Sequence, residues 1–100
     1  MNIRLIESMA ELELAVTIFR SLPQYFYERD VKHVYNDLSD WLNNRPAGVE
    51  YFAGFNGAQP VACLGYRQDL QAQRGYYLSH FAVTATLRSQ GIGSKMLRFV

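Results

Sequence analysis

Two runs of β-forming residues, Val49 to Phe55 and Val61 to Tyr66, flank the dipeptide Asn56-Gly57. Asn-Gly is the strongest short-range hairpin signal, because both central residues of a type I′ turn need φ > 0. The pair predicts an antiparallel hairpin in the middle of the chain, which sets it apart from a fold built only of βαβ units. Pro60 marks the start of the return strand, where a missing amide is tolerated.

The other elements arrange themselves around that hairpin. Ile3 to Ile6 reads as a short first strand. Ser8-Met9-Ala10-Glu11 is a capping box, in which Ser8 accepts from the Glu11 amide and Glu11 reaches back to Ser8. The helix it opens places Leu12, Ala15, Val16, Phe19 and Leu22 on one face, and Pro23 stops it. A second helix carries Val31, Val34, Tyr35, Leu38, Trp41 and Leu42 as an apolar stripe, with Lys32, His33, Asn36, Asp37, Ser39 and Asp40 opposite. Residues 43–48, Asn-Asn-Arg-Pro-Ala-Gly, end it. Gln68 to Arg74 is a polar loop. Gly75 to Val83 is a further strand, apolar in its second half and so central in a sheet. Gly91 to Val100 reads as a third helix, with Ile92, Met96 and Val100 on one face. The order is β-α-α-β-β-β-α, which predicts an α+β fold.

Composition narrows the class. The chain has 100 residues, 49% of them hydrophobic, and therefore holds one domain with a modest core. Fourteen per cent aromatic residues and a net charge of +1 exclude a disordered segment. No apolar run is long enough to span a bilayer, and no signal peptide is legible, so no membrane partner is expected. One cysteine, Cys63, excludes an internal disulfide, and with two histidines it offers too little for a protein-built metal site. These features predict a cytoplasmic protein. The first fifty residues balance to −3 and the last fifty to +4, a basic half suited to an anionic ligand. No basic stripe argues for nucleic acid.

The stretch that carries chemistry runs from Phe81 to Ser94. A strand enters a loop, and the loop opens a helix through Gly91 and Gly93. Free amides at a helix N-terminus bind phosphate oxygens, and glycine lets an anion approach the backbone. Arg88 adds a cation and Ser94 a hydroxyl. A Walker A loop is excluded, since Gly93 precedes Ser94-Lys95 instead of Lys-Ser/Thr. A dinucleotide fingerprint would need a small residue where Met96 stands.

Arg88-Ser89-Gln90-Gly91-Ile92-Gly93 resembles the [Arg/Gln]-x-x-Gly-x-[Gly/Ala] signature of the GNAT N-acetyltransferase superfamily. Val83 stands where that family ends its fourth strand, and the element order matches from the first strand through the third helix. The resemblance implies an α/β/α layered fold with a mixed, mostly antiparallel sheet, of which residues 1–100 are the N-terminal two-thirds of a single domain. The fifth strand, the fourth helix and the last two strands of the family have no counterpart here. It implies acetyl-CoA as co-substrate and direct attack by a primary amine of a small-molecule or peptide acceptor. Phe81, Ala82 and Val83 would pair with the pantetheine arm, and the amides from Ser89 through Gln90, Gly91, Ile92 and Gly93 to Ser94 would hold the pyrophosphate, with Arg88 beside it. Lys95 and Arg98 stand where they would reach the adenosine 3′-phosphate, or are ordinary last-turn cations.

Outside the loop, each candidate has two readings. His80 is either the base that deprotonates the amine or a strand histidine bonded to a neighbour. Tyr77 stands where some family members carry a glutamate base; it either orients water or packs. Tyr25 and Tyr27 are either a wall for the acceptor or a rim around a buried Phe26. His33 reads as solvated, Trp41 as core and Cys63 as a buried small side chain. Two rival functions stand beside acetyl transfer: a non-catalytic acyl-CoA-binding or regulatory module, and a nucleotide-phosphate binder using the same loop. The last strand is expected to need cover on its open side, from a second copy, a C-terminal fragment or a longer chain.

Overall fold

The computed structural model describes residues 1–69, 75–84 and 91–99, with the backbone alone at Asp69 and residues 75–77. Seven elements follow one another: β1 (Asn2–Leu5), α1 (Met9–Arg20), α2 (Glu28–Asn44), β2 (Val49–Asn56), β3 (Gln59–Asp69), β4 (Gly75–Val83) and α3 (Ile92–Phe99). The strands form one sheet in the order β1-β2-β3-β4, and every described pairing is antiparallel. The architecture is α+β, with the element order read from the sequence.

Alternation along the strands sends side chains to two cores. On one face, Tyr51, Ala53, Phe55, Cys63 and Ala82 pack with Leu12, Val16 and Phe19 of α1 and Val31, Val34, Leu38 and Trp41 of α2. On the other face, Val61, Ala62 and Leu64 pack with Ile92 and Met96 of α3. Each fully buried large side chain contributes about 1.5–3 kcal/mol over exposure. Gly54 lies between these layers: a Cβ there would approach the Met96 sulfur to 3.3 Å. Its small size lets α3 settle onto the sheet.

Local chemistry fixes the helix ends. Ser8 Oγ accepts from the Glu11 amide at 3.2 Å, as the capping box requires. The reciprocal arm differs from the expected one: Glu11 accepts from the Glu7 amide at 3.1 Å and pairs with Arg4 at 2.8 Å. Asp30 caps α2 by accepting from the Tyr27 amide at 2.7 Å. At the far end of α2, Arg45 adopts φ 45 and its amide donates to Trp41 O at 2.7 Å. The same guanidinium lies 4.1 Å from the Trp41 ring and donates to Ile6 O at 2.9 Å, tying α2 to the end of β1.

The hairpin forms, but one residue later than its sequence signal. Asn56 pairs with Gln59, so the two-residue loop is Gly57-Ala58. Gly57 takes φ 61 and Ala58 does not take positive φ. That is the sign pattern of a type II′ turn, with glycine at its first central position, in place of the expected type I′.

Two bulges break the pleat. In β3, Phe55 pairs with Pro60 and Gly54 with Ala62, leaving Val61 as an extra residue. In β4, Gly65 pairs with Ser79 and Cys63 with Ala82, so His80 and Phe81 together oppose Leu64. Two residues against one is the definition of a β-bulge, and it re-aims the side chains beyond it.

Cys63 is buried in β3, and burial pushes its thiol up to about 12 from an ordinary 9.0. A raised thiol value means that the unfolded chain loses its proton first as pH rises. Stability should be unaffected by this group below pH 9.0 and should fall between there and about 12, by at most about 1.4 kcal/mol per pH unit. Urea melts of the wild type and Cys63→Ala across this range will check it: the wild type should lose more stability than the variant. In the native state a thiol-specific reagent at neutral pH should leave Cys63 unlabelled.

Candidate functional site

The bulge in β4 decides what faces the third helix. Ser79 and Ala82 lie on the α1/α2 side, and His80 lies there too, so two consecutive side chains share that face. Beyond them Phe81 and Val83 turn to the α3 side. His80 takes φ 51, a left-handed conformation uncommon for residues other than glycine, though histidine enters it more readily than most. Such strain persists only where the surroundings over-determine it, and it concentrates at functional sites.

Phe81, Ala82 and Val83 form the floor of a cleft of about 690 Å³. One wall is Gly91, Ile92, Gly93 and Ser94 at the start of α3, and the other is Leu22, Tyr25 and Phe26 from the α1–α2 connection. The chain thus brings Tyr25 together with residues 81–83 and 91–94, which lie more than fifty positions further along the sequence.

The α3 wall is built of amides. Lys95 N donates to Gly91 O at 3.0 Å, and the amides of Ile92 to Ser94 fall in the first turn, where a helix leaves its donors without intrahelical acceptors. Gly91 takes φ 75, so a side chain there is strained although nothing lies within 4 Å of its Cβ position. A Cβ on Gly93 would meet Phe81 Cζ at 3.4 Å and Val83 Cγ2 at 4.0 Å. The two glycines therefore act differently: Gly91 permits the turn into α3, and Gly93 keeps the space between α3 and the cleft floor.

The other sequence candidates fall elsewhere. Tyr27 is 67% exposed at the start of α2 and does not line the cleft. Tyr77 pairs with Arg67 through the backbone of β4. Arg88, Ser89 and Gln90 lie outside the described residues. His33 is exposed, and Trp41 is buried with its indole N–H donating to Val49 O at 2.8 Å. Lys95 and Arg98 are exposed on α3. Among the described residues, no group of three or more His, Cys, Asp or Glu side chains could hold a metal ion.

His80 points away from the cleft floor into an aromatic clamp. Its ring stacks on Tyr51 with centroids 6.0 Å apart and stands edge-on to Phe19 at 6.5 Å. Phe19 in turn packs edge-on against Phe26 of the cleft wall at 5.0 Å. His80 Nε2 meets Asp37 Oδ2 at 2.9 Å. The sequence placed Asp37 on the solvent face of α2, and nothing in its spacing pointed across 43 positions to β4.

Tyr51 can lie flat under His80 because Gly65 stands opposite it. A Cβ on Gly65 would sit 2.6 Å from Tyr51 Cδ1, closer still to Cε1, and 2.8 Å from Ser79 Oγ. The Tyr51 hydroxyl, beyond the stack, accepts from Arg67 Nη2 at 3.3 Å. The Ser79 hydroxyl is buried in the same place without a hydrogen-bond partner among the described residues. Gly65→Ala should destabilise the fold by about 1–3 kcal/mol, the usual cost of overpacking. A lower urea midpoint at unchanged m-value will show it.

The acetyltransferase (GNAT) family model matches residues 15–100, and the chain belongs to that family. Solved structures share the fold at low sequence identity. A GNAT-family protein from Desulfovibrio desulfuricans aligns with a TM-score of 0.84 and 17% identity over 98% of this chain and 62% of its own. An aminoglycoside 6′-N-acetyltransferase from Acinetobacter haemolyticus aligns at 0.74 and 14% identity over 99% of this chain and 68% of its own. A GNAT acetyltransferase from Brucella melitensis, solved with acetyl-CoA, aligns at 0.70 and 16% identity over 98% of this chain and 64% of its own. The chain thus spans less than two-thirds of the first and third of these. No match was found among curated proteins.

Proposed function

We propose that this chain carries the acetyl-CoA site of an N-acetyltransferase and transfers the acetyl group directly to a primary amine. The observation that carries this reading is the cleft in which β4 residues 81–83 face the amide-rich start of α3. Family membership and the acetyl-CoA bound to the Brucella protein support it. The coverage of the relatives supports reading residues 1–100 as the N-terminal two-thirds of one domain.

The residues present fit the co-substrate. The backbone of Phe81 to Val83 lies on the last strand of the described sheet and can take an extended pantetheine arm as an added strand. The amides of Gly91 to Ser94, at the positive end of α3, suit a pyrophosphate, and Gly93 leaves the approach open. Arg88, Ser89 and Gln90 extend that cradle by resemblance. Acetyl-CoA supplies the acetyl group as a thioester open to attack by an amine.

Direct transfer is favoured by the chemistry of the chain's one cysteine. Cys63 is buried and its thiol is pushed up to about 12, so it holds its proton at neutral pH and cannot act as an acyl carrier. His80 is the candidate base. It sits next to Phe81 in β4 but outside the cleft lining, so it takes the amine proton through water. By resemblance alone, Tyr77 is the candidate to orient that water. Tyr25, 60% exposed and lining the cleft, offers the acceptor an aromatic wall; Tyr27 does not.

Calorimetric titration with acetyl-CoA, desulfo-CoA and ATP tests the reading. Binding of both coenzyme A forms and not ATP is expected, and binding of ATP alone would overturn it. Gly93→Val, whose side chain would press on Phe81 and fill the cleft, should weaken coenzyme A binding at least ten-fold; unchanged affinity would remove the α3 wall from the site. His80→Ala, assayed in a form of the protein that turns over, should lower kcat by about 10²–10⁴-fold with KM little changed. A wild-type rate would leave His80 a structural residue.

A further inference from the structure

We infer that Asp37 is a positioning residue that fixes the His80 tautomer, holding the proton on Nε2 and leaving the lone pair on Nδ1. The inference rests on reading His80 as the base.

Among the described residues, three contacts define the ring. Tyr51 lies nearly parallel to it, at an interplanar angle of 20°, and Phe19 stands at 87°. These rings set the plane of the imidazole and offer its nitrogens no hydrogen bond. The in-plane choice falls to Asp37, whose Oδ2 lies 2.9 Å from Nε2. An ionised carboxylate only accepts, so the nitrogen facing it must carry the proton. A neutral His80 then has Nδ1 as its basic atom, a choice made by the partner of the other nitrogen.

The contact is one-sided in a useful way. Asp37 is 47% exposed and the His80 side chain 22%, so the carboxylate keeps part of its hydration while the imidazole is held in the fold. Asp37 reaches His80 from α2, Tyr51 from β2 and Phe19 from α1. Arg67 donates to the Tyr51 hydroxyl at 3.3 Å. Asp37 is therefore the ionised group in hydrogen-bond contact with the imidazole among the described residues. It also ties the strained φ 51 backbone of the bulge to α2, at a position where a left-handed residue costs about 1–2 kcal/mol.

Chain labelled with ¹⁵N-histidine, at a pH where His80 is neutral, reports the tautomer through long-range proton–nitrogen correlations and needs no turnover. Wild type should show Nε2 protonated and Nδ1 bare. Asp37→Ala and Asp37→Asn should both lose that preference, since alanine offers no acceptor and the asparagine amide can also donate. Both changes are at an exposed helix position, where the fold should persist. A bare Nε2 in the wild type, or an unchanged Nε2–H preference in both variants, would overturn the role of Asp37. In a form that turns over, Asp37→Asn should lower kcat about 10–100-fold without raising KM, as loss of an orienting carboxylate does elsewhere. An unchanged kcat in His80→Ala overturns the base reading instead, whatever the tautomer shows.

Discussion

One inserted residue in β4 governs this structure. Where His80 and Phe81 together oppose Leu64, the pleat is reset by one position. With a regular strand, Phe81 and Val83 would share a face with Ser79 and point at α1 and α2. Because of the bulge they point at α3 instead, beside Gly93, and Ala82 takes the small site among the α1 and α2 side chains. The cleft floor, the α3 wall and the placing of His80 among aromatic rings all follow from that single reset. The φ of 51 at His80 is its cost, and the stack on Tyr51 and the bond to Asp37 are what offset it.

The second constraint is steric. Tyr51 must lie flat across the sheet for His80 to rest on it, and that is possible only because Gly65 has no side chain. Arg67 then anchors the far end of the same tyrosine through its hydroxyl. A glycine in the interior of a strand usually weakens it, yet here the missing side chain is filled by a ring from the neighbouring strand. The sheet and the site are therefore not separable: the packing that holds β2 against β3 also sets where the imidazole stands.

Much of this was legible in the residues, and the rest was not for definite reasons. The apolar stripe of α2 and the limits of β4 are local patterns, so periodicity and turn residues gave them with little error. The strand–glycine–helix passage from Phe81 to Ser94 pointed to the place where residues 81–83 and 91–94 line one cleft, because its pattern is also local. The bulges were not legible, since a strand buried on both faces shows no alternation for an extra residue to interrupt. The hairpin signal was read one residue early because Asn56 tolerates positive φ but pairs with Gln59 instead. Asp37 was hidden because its partner lies on another element, and a carboxylate on a polar helix face looks the same whether it meets water or a histidine.

The sheet order repeats the chain order, and this has a consequence for how the molecule acquires its structure. β2, β3 and β4 form a meander in which each strand pairs with its neighbour in sequence. Closing such loops costs little chain entropy, so the meander can zip outward from the Gly57-Ala58 turn. β1 alone must wait, because both α1 and α2 intervene before its partner β2. The first core can close only when that longer loop does. The face carrying Tyr51 and His80 is therefore the late-forming one, while the β2–β3 ladder can be in place early. Hydrogen exchange along the folding reaction would then record two rhythms in one small sheet, quick at its centre and slow at its β1 edge.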